Sequence, residues 1–243
     1  MSIQTALITG AGGGMGSEIA RQLAAAGFHC LLTGRREGPL EEVVAEIEAA
    51  GGSASAHPLD VTDSVQIQAL VDRRKEECLD ALICCAGDWL IKPLEAVTDA
   101  EIEHILAVNL VGPMLMARSF LPQLRRSENA TILNIGSIAS MRYVPQISIY
   151  TAAKTGLRGF TGALAEELRP ERIRCVLLSP GPADTPMRWA ATPQADPDTL
   201  VTPETIARTV AHIVTLPPGT TVTEFLLISQ GYGEDAARKM LDD

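Results

Sequence analysis

The segment "TALITGAGGGMGSEIA", residues 5–20, carries the strongest indication of the fold. A short β-favouring run leads into five glycines within residues 10–16, and a helical pattern follows. A glycine backbone can approach a bound group closely, and the free amides at a helix start favour an anion there. The segment therefore predicts a βα turn that binds a phosphate-bearing ligand.

The glycines are spaced as T-G-x-x-x-G-x-G, with Gly10, Gly14 and Gly16. Met15 stands where the dinucleotide fingerprint G-x-G-x-x-G, read from Gly10, has its last glycine. A tight turn packed with small residues is the alternative, but such a turn needs fewer glycines. We interpret Gly10, Gly14, Met15 and Gly16 as part of a dinucleotide site.

Strand-like and helical patterns alternate along the whole chain. The strand-like runs are "TALITG", "HCLLTG", "ASAHPLD", "LDALICCAG", "ATILNIGS", "IRCVLLSPG" and "EFLLIS". Strands this apolar are buried on both faces, as in parallel sheets with helical crossovers. The pattern predicts an α/β fold, a single doubly wound, Rossmann-like domain over residues 1–243 with about seven mostly parallel strands. Its ligand is expected at the carboxyl ends of the strands.

One irregular stretch, "ADTPMRWAATPQADPDTLVTP" at residues 183–203, lies between a strand and a helix. Loops of this length inside a compact domain are commonly functional. We expect a flap that covers the substrate, with a disordered excursion as the alternative. Met187 and Trp189 in this stretch, together with Trp89, predict an apolar pocket with few charges.

Composition limits the partners and the location. A formal charge of −10 and a pI of about 4.9 predict repulsion of polyanions, so neither nucleic acid nor an anionic membrane is expected as a partner. The sequence has no basic region followed by an apolar signal core, and no unbroken apolar run approaches the roughly 18 residues of a membrane span. A cytoplasmic protein is predicted. The five cysteines lack CxxC spacing and the four histidines lack ligand spacing, so no metal site is expected.

The second strand-like run ends in "LTGRRE", residues 32–37. An NAD-binding protein usually places an acidic residue near this point to hold the adenine ribose. Here Gly34 takes that place, and the guanidinium groups of Arg35 and Arg36 suit a 2′-phosphate. NADP(H) is therefore favoured over NAD(H). NAD(H) stays open if the arginines are only solvated and Glu37 contacts the ribose.

The segment "SIYTAAK", residues 148–154, places Tyr150 and Lys154 four residues apart. In a helix both side chains lie on one face, as a catalytic pair or as a plain surface pair. A free phenol has a pKa of about 10, and a neighbouring ammonium lowers it by favouring the phenolate. The pair is predicted to exchange a proton near neutral pH.

Six motifs occur in one order with consistent spacing: "TGAGGGMG" (9–16), "LDV" (59–61), "VNLVG" (108–112), "ILNIGS" (132–137), "YTAAK" (150–154) and "PGPADTPM" (180–187). Over nearly its full length the chain resembles the short-chain dehydrogenase/reductase family. The resemblance implies a catalytic set of Asn109, Ser137, Tyr150 and Lys154. In carbonyl reduction Tyr150 would donate a proton to the carbonyl oxygen, and Ser137 would hydrogen-bond that oxygen.

The same resemblance implies that Lys154 holds the nicotinamide ribose and that Asn109 holds a water linking the lysine to solvent. Taken singly, Ser137 could be a strand-end cap and Asn109 a polar interruption in a helix. The further cofactor contacts that the resemblance implies are Asp60, Val61, Ala86, Gly87, Tyr150, Pro180, Gly181 and Thr185.

The segment "CCAG", residues 84–87, departs from the family's usual Asn-Asn-Ala-Gly, and cysteine cannot supply the amide hydrogen bonds that brace the sheet there. The Asp-Gly-Gly ending of many acyl-carrier-protein reductases in the family is also missing, which weakens the interpretation as a 3-oxoacyl-[acyl-carrier-protein] reductase. For that alternative, a basic patch would consist of Arg125, Arg126, Arg172 and Arg174.

The favoured function is an NADP(H)-dependent oxidoreductase of the carbonyl reductase type, acting on a small carbonyl or secondary alcohol. A non-catalytic nucleotide sensor or scaffold is the alternative from another class. The resemblance also implies a homodimer or homotetramer, associated through the helices at about 99–127 and 148–168, with the last strand and tail as further contacts.

Overall fold

The computed structural model describes residues 3–232. Strands and helices alternate, as the sequence pattern predicts. In chain order they are β1 (Thr5–Thr9), α1 (Gly14–Ala25), β2 (His29–Gly34), α2 (Glu37–Ala49), β3 (Ser53–Pro58), α3 (Ser64–Arg73), β4 (Ala81–Cys84), α4 (Asp99–Leu106), α5 (Gly112–Leu124), β5 (Thr131–Ile135), α6 (Ser148–Leu168), β6 (Arg174–Pro180), α7 (Pro186–Ala191), α8 (Pro203–Val214) and β7 (Glu224–Leu227).

The seven strands form one sheet in the order β3-β2-β1-β4-β5-β6-β7, and every neighbouring pair is parallel. The predicted α/β, doubly wound fold class is confirmed. The strand order reverses between β1 and β4, so the loops that leave these two strands turn to opposite sides of the sheet. A crevice opens at their carboxyl ends, which is where ligands bind in this architecture.

Helices cover both faces of the sheet, and each face has its own apolar core. On one face, α1, α2 and α8 contribute buried residues such as Ile19, Leu40 and Val210. On the other face, α3 and α5 contribute Ile67 and Phe120. Because the central strands are buried on both sides, they consist almost entirely of apolar residues, which accounts for the continuous apolar runs in the sequence.

The segment Asp99–Leu124 is long and apolar enough, by length and composition, to cross a membrane. It comprises α4, a π-helical stretch at Ala107–Val111 and α5. Its Met116, Phe120 and Leu124 are almost completely buried in the core against the sheet. The apolar face of this helix therefore packs as a layer of the fold.

Strand β7 differs from the prediction that all strands are buried on both faces. Its Phe225 and Leu226 are 37% and 42% exposed. β7 is the terminal strand of the sheet and pairs only with β6 among the described residues. The prediction is wrong for this strand because an edge position, unlike a central one, is not covered on every side. The tail beyond residue 232, predicted to assist association, lies outside the described residues.

Arg174 is the first residue of β6 and is 7% exposed. It joins the ends of several elements at the amino-terminal edge of the sheet. Its Nε donates to Thr131 Oγ1 at 2.9 Å, and its two terminal nitrogens donate to the carbonyl oxygens of Leu216 at 2.9 Å and Val214 at 3.0 Å. Val214 is the last residue of α8 and Leu216 lies two residues beyond it, at the end of the helix where the dipole favours a cation. Arg174 thus attaches the end of α8 to strands β5 and β6.

The basic patch suggested for an acyl-carrier-protein partner is not formed. Arg174 is buried, and Arg125 pairs with Glu171 at 2.6 Å. Arg126 lies 3.8 Å from Glu76. Three of the four arginines are thus engaged within the protein, which sequence spacing alone does not reveal.

Replacing Arg174 with Met should lower the free energy of unfolding by about 2–4 kcal/mol, because each buried acceptor left without a donor costs about 1–3 kcal/mol. Urea denaturation followed by circular dichroism measures the change. Arg172→Met is the matched control, since Arg172 is exposed and should tolerate the change. Equal stability of the two variants would contradict a structural role for Arg174.

Candidate active site

A cavity of about 460 Å³ follows the glycine loop between β1 and α1 and continues to the end of β2. Seven of its sixteen lining residues are glycines, which have no side chain. The lining residues are Gly10, Gly12, Gly13, Gly14, Met15, Gly16, Gly34, Arg35, Arg36, Pro39, Cys85, Ala86, Gly87, Thr185, Pro186 and Met187.

The glycine loop leaves the N-terminus of α1 open toward this cavity. Gly13 is the N-cap, and within the described chain no side chain caps the helix. A Cβ added at Gly13 would meet no atom of the described residues within 4 Å. Gly14 has a φ of 54°, which disfavours other residues. The space and the unpaired amides fit an anionic diphosphate, as predicted for this loop.

Arg35 and Arg36 line the far end of the same cavity and are both exposed. Gly34 precedes them at the end of β2, so no carboxylate stands at that position. Glu37 is the first residue of α2. The rim is therefore open and cationic, which suits a phosphate group.

An adjoining cavity of about 210 Å³ contains Asp60 and Val61, together with Gly10, Arg35, Ala86 and Gly87 from the first cavity. His104 and Asp88 also line it, and His104 Nε2 lies 2.7 Å from Asp88 Oδ2. The sequence analysis missed this pair, because Asp88 and His104 are 16 residues apart and belong to no recognised motif.

Thr9 braces the loop that carries the unusual Cys84-Cys85 pair. Its Oγ1 accepts hydrogen bonds from the backbone N–H groups of Cys85 and Ala86, both at 3.0 Å. It also lies 3.4 Å from the carbonyl oxygen of Ile83, to which it donates. Thr9 is 1% exposed, so these bonds are shielded from water. The loop after β4 is thereby held against β1 without side-chain amides at positions 84 and 85.

A second cavity, of about 370 Å³, lies beside the first and shares Met15, Thr185 and Met187 with it. Its remaining lining residues are Trp89, Ile91, Gly136, Ser137, Ile138, Ala139, Arg142, Val144, Pro145, Ile147, Tyr150, Pro180, Gly181, Pro182, Ala183, Arg188, Thr192 and Tyr232. Most of this lining is apolar, as predicted. A group bound in the second cavity therefore lies next to a group bound in the first.

Tyr150 stands at the start of α6 and is 9% exposed. The Trp89 ring lies 4.7 Å from its ring, measured between centroids. Burial raises the pKa of Tyr150 to about 12, and the hydroxyl of Ser137 offsets only part of the rise. The predicted lowering of this pKa by Lys154 is thus wrong in direction, because desolvation of the phenolate dominates. The phenol is protonated at neutral pH.

Lys154 lies one helical turn further along α6 and is 5% exposed. Its Nζ donates to the carbonyl oxygen of Ile135 at 2.9 Å and lies 5.8 Å from the centroid of the Tyr150 ring. Burial lowers the pKa of Lys154 to about 8. The ammonium of Lys154 therefore releases its proton more easily near physiological pH than an ordinary lysine does.

Asn109 lies in the π-helical stretch between α4 and α5 and is completely buried. Its Nδ2 donates to the carbonyl oxygens of Asp88 at 2.9 Å and Ile105 at 3.0 Å, and its Oδ1 accepts from the Asp88 N–H at 3.3 Å. A Cβ on Gly87 would lie 3.0 Å from this Oδ1 and 3.9 Å from Lys154 Nζ. Asn109 therefore fixes the loop after β4 immediately beside the lysine.

The structure brings the predicted site residues together from distant parts of the sequence. Except for two, all of them line one of the three adjoining cavities. Asn109 and Lys154 do not line a cavity and lie buried next to Gly87 instead. The sequence analysis missed Arg142, Arg188 and Tyr232, because none belongs to a recognised motif. It quoted Thr9 as the first residue of the glycine motif but assigned it no role.

Residues 183–203 contain helix α7. Backbone hydrogen bonds join the beginning of this segment to its end. Asp184 N–H donates to Val201 O at 2.9 Å, and Val201 N–H donates to Pro182 O at 2.8 Å. Met187 lines both larger cavities. Trp189, predicted as a pocket residue, is not among the lining residues, and its Nε1 donates to Asp184 Oδ1 at 2.6 Å.

Comparisons with known proteins agree with this geometry. A sequence model of the family described as short chain dehydrogenase matches residues 4–196. A fatty acyl-CoA reductase from Acinetobacter baylyi is 35% identical over 76% of this chain, which spans 64% of that protein. A 2,3-dihydro-2,3-dihydroxybenzoate dehydrogenase from Bacillus subtilis is 33% identical over 76% of this chain and 72% of its own length. A crystal structure of a metagenomic short-chain oxidoreductase in complex with NADP has a TM-score of 0.81 and 34% identity, covering 93% of this chain and 96% of that one.

Replacing Thr9 with Val should lower the free energy of unfolding by about 1–3 kcal/mol, because the buried N–H groups of Cys85 and Ala86 lose their acceptor. Chemical denaturation measures the effect. Thr9→Ser keeps the hydroxyl and should retain most of the stability. If the serine variant lost as much as the valine variant, the missing methyl group rather than the hydrogen bonds would be responsible.

Proposed function

The chain belongs to the short chain dehydrogenase family, and from that premise we propose that it transfers a hydride between NADP(H) and a small carbonyl or secondary alcohol. Members of the family are oxidoreductases that act on CH–OH or C=O groups. The observation that supports the proposal best is the position of Tyr150 and Ser137 in a cavity that adjoins the glycine-lined one. A proton donor and a dinucleotide site thus meet at one place.

NADP(H), when bound, supplies or accepts the hydride. The glycine loop would hold its diphosphate at the start of α1, and Arg35 with Arg36 would contact the 2′-phosphate. The cavity lining and the absence of a carboxylate at Gly34 support this assignment. So does the similar metagenomic structure, which is a complex with NADP. Asp60, Val61, Ala86 and Gly87 would surround the adenosine, while Pro180, Gly181 and Thr185 would contact the nicotinamide end.

Tyr150 would act as the general acid during carbonyl reduction. Its phenol is protonated at neutral pH, as an ordinary phenol with a pKa of about 10 is, and burial raises the pKa further, to about 12. The carbonyl oxygen gains negative charge as hydride reaches the carbon, and it then takes the proton from Tyr150. Ser137, in the same cavity, would donate a hydrogen bond to that oxygen. In the oxidative direction Tyr150 would first lose its proton and would then, as the phenolate, take the proton of the alcohol.

Lys154 would return a proton to Tyr150 and hold the nicotinamide ribose. Burial lowers the pKa of Lys154 to about 8, so its ammonium can give up a proton at moderate cost. Asn109 would hold the predicted water. It would also position this part of the site through Asp88 and Gly87. The catalytic set is thus Asn109, Ser137, Tyr150 and Lys154, as the resemblance implies.

Carbonyl reduction of a small substrate is favoured over reduction of an acyl-carrier-protein substrate. The four arginines suggested for carrier docking do not form a free patch, since Arg174 is buried and Arg125 and Arg126 face Glu171 and Glu76. A non-catalytic nucleotide sensor has no need for a buried, protonated Tyr150 beside Lys154.

We propose that residues 1–243 act as one domain in which residues 183–203 cover the substrate. The homodimer or homotetramer and the cytoplasmic location stay predictions.

Replacing Tyr150 with Phe should reduce turnover of carbonyl substrates by roughly 10²–10⁴-fold, because the proton donor is lost while the ring remains. A panel of ketones and aldehydes, followed by the absorbance of NADPH, measures the change. Tyr143→Phe is the matched control, since Tyr143 is 80% exposed and lies outside the cavity lining. Near-normal reduction by the Tyr150 variant would overturn the assigned acid.

Replacing Arg35 with Ala should weaken NADPH binding by roughly ten- to a hundredfold and leave NADH binding nearly unchanged. A hydrogen bond to a charged group contributes about 1.5–3 kcal/mol, which gives that range when it is partly shielded from water. Calorimetric titration of both cofactors at one ionic strength measures the difference, with Arg208→Ala on α8 as an exposed control. Equal loss for NADH and NADPH would instead favour Glu37 as the ribose ligand.

A further inference from the structure

The second cavity contains two guanidinium groups in an otherwise uncharged lining. Arg142 follows the Ile138–Ser140 turn, and Arg188 belongs to α7. No Asp or Glu of the described chain lines this cavity. In a protein with a formal charge of −10, a cavity with two positive charges and no negative charge departs strongly from the average surface.

Arg188 has a hydrogen-bond donor that is buried without an acceptor. Its Nε is inaccessible to water and has no hydrogen-bond partner among the described residues. Burial lowers the pKa of the Arg188 guanidinium, so its charge is held at a cost. An atom that water cannot reach is also out of reach of a ligand oxygen, so a bound acceptor would contact the terminal nitrogens of Arg188, which lines the cavity.

Arg142 is held at the same cavity by an aromatic contact. Its guanidinium carbon lies 5.3 Å from the centroid of the Tyr232 ring, and Tyr232 lines the cavity with both arginines. Such cation–π contacts orient a guanidinium without neutralising it. Between residues 3 and 232, neither Arg142 nor Arg188 forms an ion pair with a carboxylate.

We propose that the substrate of this enzyme carries a carboxylate, which Arg188 and Arg142 bind while its carbonyl or alcohol group lies at Tyr150 and Ser137. This inference rests on the proposed function and narrows it to oxo acids or hydroxy acids. A planar guanidinium binds a carboxylate through two parallel hydrogen bonds, which fixes the orientation of the substrate as well as adding affinity. Trp89, Ile91 and Val144 would contact its apolar part.

A carboxylate substrate would also account for the two positive charges in an otherwise apolar lining. A carboxylate in an apolar cavity needs compensating charge, because its desolvation is expensive. The two arginines of the lining supply that charge, and the neutral Tyr150 adds no repulsive negative charge. With a neutral ketone, neither guanidinium group would have a counter-charge from residues 3–232.

The test compares aryl oxo acids, with increasing chain length between ketone and carboxylate, with the methyl ester of each acid. For the acid of best length, kcat/KM should exceed that of its ester by roughly ten- to a hundredfold, as expected for a charge-assisted hydrogen bond. Arg188→Met should remove most of this preference by raising KM for the acid, with little change for the ester. Arg142→Met should act in the same direction, and Arg208→Met on α8 should preserve the preference.

Binding without turnover gives an independent readout. Calorimetric titration with an unreactive aryl carboxylate should show binding to the wild-type protein and at least a tenfold loss in Arg188→Met. If acids and esters were reduced equally well, or if Arg188→Met impaired both alike, the carboxylate site would be overturned while the proposed reductase function stood. If no carbonyl compound were reduced, the proposed function would fail, and the titration alone would decide the carboxylate site.

Discussion

The site depends on the close approach of two backbone segments where the strand order of the sheet reverses. Gly10 follows β1 with a φ of 69°, and a Cβ there would lie 2.9 Å from the Ala86 Cα. Only glycine permits this contact, because any other side chain would collide with backbone that cannot move aside. Thr9 then holds the same loop through the Cys85 and Ala86 N–H groups. This one junction therefore sets part of the lining of the first cavity and of the adjoining cavity that contains Asp60.

Asn109 connects this junction with the surroundings of Lys154. Asn109 uses its amide to hold both the N–H and the C=O of Asp88, two residues after Ala86. The π-helical stretch that contains Asn109 widens the helix locally, and such insertions often occur at functional sites. Lys154 Nζ lies close to Gly87 on the same loop. A change at the sheet junction would thus alter the position of the groups around the lysine.

Desolvation rather than charge pairing sets the protonation of the active site. The ammonium of Lys154 would favour a phenolate, but both groups are nearly inaccessible to water, and burial raises the pKa of Tyr150 and lowers that of Lys154. Each group is thereby shifted toward its neutral form. A neutral phenol is the form required to donate a proton to a carbonyl oxygen.

The sequence by itself determined the fold class, the positions of most elements and the residue types of the cofactor site. The reason is local: hydrophobic periodicity, the glycine spacing and the i,i+4 placement of Tyr150 and Lys154 are properties of short segments. The exposed edge strand β7, the inward orientation of Arg174 and the bracing role of Thr9 were decided only by tertiary structure. Each depends on which distant segment packs alongside. The same holds for Arg142 and Arg188, which share a cavity only because the segment after β5 and the one after β6 meet at the carboxyl edge of a parallel sheet.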